Sequence, residues 1–193
     1  YDSTRINLGL FQKDVNVIWD LAVHDFAIMD FLLEEKPVAV SASAAGFIAS
    51  TPENMAHLSV YYPTGTMAHL NVNWLAPVKV RQTLIGGSRR MVIYDDMQTS
   101  EKVRIYNRGA SHAPEPHEHL VAYRIGDMWA PALSPKEALL TEAQEFVRCI
   151  EDQDTPVTDG ESGLRVVEML AAASRSAAMR GHPIELGSLK VAS

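Results

Sequence analysis

The run NMAHLSVYY-PTG-TMAHLNVNWL, residues 54–75, constrains the fold more than any other stretch of the chain. Ala56, Leu58, Val60 and Tyr62 alternate with His57, Ser59 and Tyr61. After the turn Pro63-Thr64-Gly65, Ala68, Leu70, Val72 and Trp74 alternate with Met67, His69, Asn71 and Asn73. Successive strand side chains point to opposite faces, so this pattern reads as an antiparallel hairpin with one apolar face and one more polar face. The segments VAVSASAAGF, VRQTLIG, MVIYDD, EKVRIYN and HLVAYRI are further strand candidates between residue 38 and about residue 126. Together they predict a large, mainly antiparallel sheet.

Helical periodicity flanks that block. In DVNVIWDLAVHDFAIMDFLL, residues 14–33, Val17, Ile18, Leu21, Ile28, Met29 and Leu32 recur at helical spacing, and Pro37 ends the element. Ser134-Pro135-Lys136-Glu137 reads as a capping box with proline at the first helical position, predicting a helix over residues 135–152. Thr158-Asp159-Gly160-Glu161 reads as a second box, opening a helix that stops near Gly181, with Pro183 beyond. A block of strands flanked by helices, without βαβ alternation, is α+β: an open sheet with helices packed on one face.

Composition narrows the function. The 193 residues carry a net charge of −7, which argues against a nucleic-acid or anionic-membrane partner. No apolar run approaches a membrane span, and the N-terminus has no signal-peptide pattern. Cys149 is the single cysteine, so no internal disulfide forms and a cytoplasmic home is expected. No G-x-G-x-x-G follows a strand and there is no Walker-type loop. Gly86-Gly87, followed by Ser88-Arg89-Arg90, reads as a hairpin turn.

At about 100° per residue, Asn16, Asp20 and His24 form a polar stripe beside the arc of Val17, Leu21, Ile28 and Leu32. Such a stripe lies at the border of core and solvent, where a cleft can form. A carboxylate near an imidazole raises its pKa and fixes its tautomer, which makes a usable base. An ordinary i,i+4 helix pair has the same spacing. Asn16 is a candidate ligand for a substrate hydroxyl and equally a helix cap. Arg5, Lys79 and Arg81 are candidate contacts to an anionic group, or solvated edge charges. His112, His117 and His119 with Glu115 and Glu118 fit no common metal site, and no metal is expected. His57 and His69 on the polar hairpin face suit a packing surface or subunit interface. Tyr123-Arg124 with Gly126-Asp127 reads as an edge strand entering a turn, and Cys149 as packing with Phe146 and Ile150.

The run WDLAVHDFAIMDFLL, preceded by RINLGLFQKDVNV, resembles the Gfo/Idh/MocA family of NAD(P)-dependent oxidoreductases. NWLAPVKVRQTLIGGSRRMVIYDD, AYRIGDMWAP and TDGESGLRVVEMLAAASRS extend the resemblance over nearly the whole chain, as that family's C-terminal domain. They look most like the branch of UDP-N-acetyl-hexosaminuronate 3-dehydrogenases. The resemblance implies a glyceraldehyde-3-phosphate dehydrogenase-like C-terminal fold, with residues 1–193 as the substrate-binding and oligomerisation domain. It also implies an upstream Rossmann domain of about 120 residues that holds NAD or NADP and is absent from this chain.

The implied reaction is hydride transfer from a hydroxyl carbon of a sugar, expected to be a nucleotide-linked uronate. His24 matches the family histidine that takes the hydroxyl proton, and Asp20 the acid that orients it. Glu35-Lys36-Pro37 looks like the family's E-K-P lysine motif, but it follows the helix rather than preceding it and is not assigned that role. The open face of the sheet is the expected site of homo-oligomer contact. The chain alone should bind no cofactor and be inactive. The alternatives are a non-catalytic binding or dimerisation module and, less favoured, a histidine-loop metalloprotein.

Overall fold

The computed structural model describes residues 1–9, 11–112 and 121–187. Strand β1 (Asp2–Leu8) leads into a helix that starts as a π turn (Ile18–Ala22) and continues as α1 (Val23–Leu32). Strands β2 (Ala39–Ala45), β3 (Met55–Tyr61), β4 (Met67–Asn73), β5 (Leu75–Gly86), β6 (Met91–Asp95) and β7 (Val103–Tyr106) follow. Next come β8 (Gly109–His112), β9 (Val121–Arg124) and β10 (Met128–Trp129). Helices α2 (Ala138–Asp152) and α3 (Gly160–Ala178) precede the short β11 (Ile184–Glu185).

Nine strands form one sheet in the order β10-β7-β6-β5-β1-β4-β3-β2-β11, and β8 pairs with β9 separately. Only the β1–β4 contact in the sheet is parallel; the other neighbours run antiparallel. The large, mainly antiparallel α+β sheet expected from the alternating runs is therefore present. Within the β3–β4 hairpin, Ala56, Leu58, Val60, Ala68, Leu70 and Val72 are buried. They meet Ile18, Phe26 and Met29 of the first helix and Val166, Met169, Leu170 and Ala173 of α3. Gly87 N–H donates to the Arg90 carbonyl at 3.0 Å, closing the hairpin expected at Gly86-Gly87.

Strand β1 was not anticipated. DSTRINL has no apolar alternation, yet it is inserted between β4 and β5 near the middle of the sheet. The first helix also starts later than residue 14. Asn16 Oδ1 accepts from the backbone N–H groups of Ile18 and Trp19 at 3.2 and 3.3 Å, so the helix is capped there.

The π turn shifts the phase of that helix. A turn with i→i+5 bonding holds one extra residue, which rotates everything downstream by roughly 100°. Asp25, Phe26 and Met29 consequently face the core, whereas Leu32, expected there, is exposed and Ile28 is only half-buried.

Two helix starts differ from the expected boxes. Glu137, not Ser134, caps α2, its Oε2 accepting from Leu140 N–H at 3.0 Å. Asp159, not Thr158, caps α3, accepting from Ser162 N–H at 2.8 Å. In each case a carboxylate sits nearer the first free N–H groups than the hydroxyl residue does. Helix α3 is clamped to α1 by the two-point contact of Arg165 with Asp30, at 2.7 and 2.8 Å. Its C-terminal end is joined to β2 by Ser176, whose hydroxyl accepts from Ala42 N–H and donates to the His182 carbonyl. On α2, Cys149 is buried as expected, but Phe146 and Ile150 are each 63% exposed, so the packing partnership read from the sequence is absent among the described residues.

The core assignment is testable by urea denaturation. Phe26→Ala should cost about 3–5 kcal/mol through the cavity left behind. Phe31→Ala, five residues along the same helix but exposed, should stay within about 0.5 kcal/mol of the wild type.

Candidate active site

The π turn carries Asp20, and the first turn of α1 carries His24 and Asp25. Asp20 Oδ2 accepts a 2.8 Å hydrogen bond from Trp74 Nε1. The Trp74 ring is buried, with the edge of Phe11 packed against it at 5.7 Å between centroids. Backbone at Gly9 passes so close that a Cβ there would lie 2.8 Å from Trp74 Cδ1, so glycine is required. The Asp20 carboxylate is thus held by the sheet, and no hydrogen bond joins it to His24 among the described residues.

His24 is exposed on the helix. Its pKa is lowered, against the rise that the Asp20 spacing alone predicts. Loss of hydration is the largest cause, and the Arg5 guanidinium adds to it. Asp25 opposes them, Arg81 lowers the value further, and Asp20 raises it least of the five influences. The imidazole is therefore neutral near pH 7 and able to accept a proton.

Asp25 is completely buried and is the carboxylate that acts most strongly on His24. Its Oδ1 accepts from Ser3 Oγ at 2.7 Å and Tyr1 Oη at 3.1 Å; its Oδ2 accepts from Arg5 Nε at 3.2 Å. A buried carboxylate stays charged only with such donors. Burial first, and Asp25 next, push the Tyr1 phenol well above its ordinary value.

Across the β1–β5 pairing Arg5 lies directly opposite Arg81. Arg81 is 3.6 Å from Asp96, which also binds Lys102 at 3.1 Å and accepts from Tyr94 Oη at 3.0 Å. Burial pushes the Asp96 carboxyl up, but hydrogen bonds from Lys102 and Tyr94, with the Arg81 guanidinium close by, hold it below the usual range. The Tyr94 hydroxyl is raised by burial and then by Asp96, and both Arg5 and Arg81 act on it as they do on His24. Lys79, exposed on the same strand, is two residues before Arg81 and so on the same face.

The structure gathers His24, Arg5 and Arg81, with Lys79 at the margin, and leaves Asp20 bonded to Trp74. Asn16 adopts the capping geometry, and its amide nitrogen donates to Glu53 Oε2 at 3.1 Å. Sequence reasoning missed Asp25, Tyr94 and the tryptophan that holds Asp20. The acid beside the histidine in HDFAIMD was the visible signal, but without the π turn its inward direction could not be read.

Lys36 lies beyond α1, in the connection to β2. On the polar hairpin face, His57 and His69 stack at 6.0 Å, and His69 Nδ1 is 3.5 Å from Asp2. The described residues contain no group of three or more His, Cys, Asp or Glu side chains placed to hold a metal. Of the loop histidines, His117 and His119 fall outside the described residues. No described helix is long and apolar enough to cross a membrane.

Residues 11–93 match the family described as GFO/IDH/MocA C-terminal domain. Over these residues the chain is similar to that family. It is 28% identical over 154 residues to UDP-N-acetylglucosamine 3-dehydrogenase from Acidithiobacillus ferrooxidans, covering 80% of this chain and 46% of that protein. A solved structure of that bacterium's enzyme GnnA superposes with a TM-score of 0.68 at 26% identity, covering 92% of this chain and 53% of the other. GenD2 from gentamicin A biosynthesis, in complex with NAD, shares the fold with a TM-score of 0.71 at 18% identity, over 97% of this chain and 55% of GenD2. The aldose-aldose oxidoreductase of Caulobacter crescentus, complexed with glycerol, does so with a TM-score of 0.69 at 17% identity, over 96% and 55% of the two chains. The chain thus spans about half the length of these relatives.

Because the His24 pKa is depressed by folding, the unfolded chain binds that proton more tightly. The stability it contributes is present above the ordinary value of 6.5 and is lost as pH falls through the folded value. NMR titration of the His24 ring should give a midpoint below 6.5. His24→Asn should flatten part of the fall in denaturation free energy between about pH 7 and pH 5.

Proposed function

We propose that residues 1–193 are the substrate-binding and oligomerisation half of an NAD(P)-dependent dehydrogenase acting on a nucleotide-linked sugar, preferably a uronate. The observation that carries this reading is a neutral histidine, held below its ordinary pKa, beside a paired cationic surface on the sheet. The similarity to the Acidithiobacillus UDP-N-acetylglucosamine 3-dehydrogenase supports a nucleotide-sugar substrate. The guanidinium pair Arg5 and Arg81, with Lys79, favours one bearing negative charge.

In this reading the imidazole of His24 accepts the proton of a sugar hydroxyl as the C–H bond at the same carbon breaks. The electron pair of the O–H bond becomes the second bond of the new carbonyl. Taking the proton in step with the hydride avoids a protonated ketone, which is where a base lowers the barrier. The Asp20 carboxylate, kept in place by Trp74, supports the positive charge that develops on His24. Arg5 and Lys79 bind the anionic part of the substrate, and Asn16 orients the start of the helix on which the base stands.

A nicotinamide, when bound, supplies the hydride acceptor. The described residues contain no glycine-rich turn from a strand into a helix of the kind that cradles a dinucleotide. The cofactor is therefore assigned to a separate domain, and the isolated chain to an inactive state. The polar hairpin face with His57 and His69 is assigned to contact with a second copy, and the lone Cys149 suits a reducing compartment.

In the two-domain parent, His24→Asn should lower kcat by about 10²–10⁴ with an unchanged melting temperature. Steady-state NADH formation from UDP-sugars and UDP-sugar uronates reads this directly. A folded variant of undiminished activity would sink the assignment and favour a non-catalytic binding module.

A further inference from the structure

We propose that Asp25 is a positioning residue: it fixes Arg5 against Arg81 so that their guanidinium groups form one seat, next to His24, for an oxyanion of the substrate. The inference rests on the reading of His24 as the base only for its place in the reaction. Binding of the anion does not depend on hydride transfer.

Two like charges directly opposite on neighbouring strands are destabilising unless something compensates them. Arg5 and Arg81 stand in that relation. Each has a carboxylate on one side only: Asp25 beneath Arg5, and Asp96 beside Arg81. Neither contact uses up the donors. Asp25 accepts from Arg5 Nε, and no hydrogen bond donated by the terminal nitrogens of Arg5 occurs among the described residues. The Arg81–Asp96 approach, at 3.6 Å, is longer than a hydrogen bond. Planar forks with spare N–H groups, side by side, match the geometry of a carboxylate or phosphate.

Asp25 is built to hold one of those forks still. Ser3 and Tyr1 both donate to Oδ1, which stops the carboxylate from turning and directs Oδ2 at Arg5. Ser3 and Arg5 lie on the same face of β1, and Asp25 follows His24 directly in the chain. The carboxylate therefore ties the guanidinium and the imidazole to one frame. Around His24 the charged groups are Arg5 on β1, Arg81 on β5, and Asp20 and Asp25 on its own helix. A fixed Arg5 sets both the seat and the largest single charge acting on the base. A free ion pair with no role in binding would give no reason for a second arginine facing the first.

A sugar carboxylate and a substrate phosphate share this chemistry. The test is an NMR titration of the His24 ring in the 193-residue chain. The probes are glucuronate and inorganic phosphate, with glucose and sodium chloride at matched ionic strength as controls. One or both anions should shift the resonance saturably and raise the His24 midpoint, and neither control should. The tighter of the two identifies the source of the oxyanion.

Arg5→Met and Asp25→Asn should each weaken the anion about tenfold or more. Asp25→Asn should also lower the His24 midpoint, because the charge opposing Arg5 is gone. Asp25→Glu, which keeps the charge but displaces the fork, should lose affinity with the midpoint nearly unchanged. A merely structural Asp25 would alter the melting temperature of these variants and neither readout. Absence of a saturable response in the wild type overturns the proposal, whether or not the variants fold. So does a cooperatively melting Asp25→Asn that binds as the wild type does. Turnover in the two-domain parent fails or survives independently of either result.

Discussion

A fully buried carboxylate is expensive to place, and in this chain Asp25 is the group on which the rest of the site depends. Three donors from β1 and the residue just before it satisfy it: the phenol of Tyr1, the hydroxyl of Ser3 and the guanidinium of Arg5. Removing one partner from such a cluster leaves an uncompensated charge, which costs several times more than the intact cluster contributes. The contacts are therefore a device for register more than for stability. They fix β1, a strand with little apolar surface of its own, between β4 and β5 and set it against the first helix.

The same constraint explains the wide turn at Ile18–Ala22. A regular α-helix through residues 17–32 would keep Ile28 and Leu32 toward the core. The inserted residue rotates the helix so that Asp25 points inward at β1 and His24 remains at the surface. Asp20, within the turn itself, is turned to Trp74 at the end of β4. One irregularity thus separates the acid and the histidine that the sequence pairs at i,i+4, and gives each a different partner. Irregular helical turns of this kind recur at functional sites, because they place side chains where a regular helix cannot.

What was legible in the sequence follows from which forces dominate locally. The β3–β4 hairpin was readable because apolar burial alone determines it: Ala56 to Tyr62 and Ala68 to Trp74 alternate without exception. The helices after residue 134 were readable from caps and periodicity, with starts displaced because Glu137 and Asp159 outcompete the hydroxyls for the free N–H groups. Strand β1 was not readable, since what holds it is a polar cluster with a residue 20 or more positions away. Asp20 and His24 could be picked out as a polar stripe with a recognisable flank. Their electrostatics could not, because Arg5 and Arg81 act on His24 more visibly than Asp20 does, and both arginines come from strands distant in sequence.

The site's place in the fold follows from how the helices are distributed. The first helix and α3 cover the half of the sheet built from β4, β3, β2 and β11, and every sheet strand in the core cluster belongs to that half. No residue of β5, β6, β7 or β10 joins the cluster. His24 stands on the helix at the boundary, and Arg5 and Arg81 occupy the two strands where cover gives way to bare sheet. Charges are tolerated there for two reasons. The helix side is dry enough to make Asp25 bind tightly and to depress the His24 pKa. The bare side is wet enough to leave Lys79 exposed and the Arg81 side chain 39% accessible. A sheet covered evenly would bury those charges at prohibitive cost, and one left bare would screen them. The uneven cover is what allows a cationic seat and a neutral base to coexist at one edge.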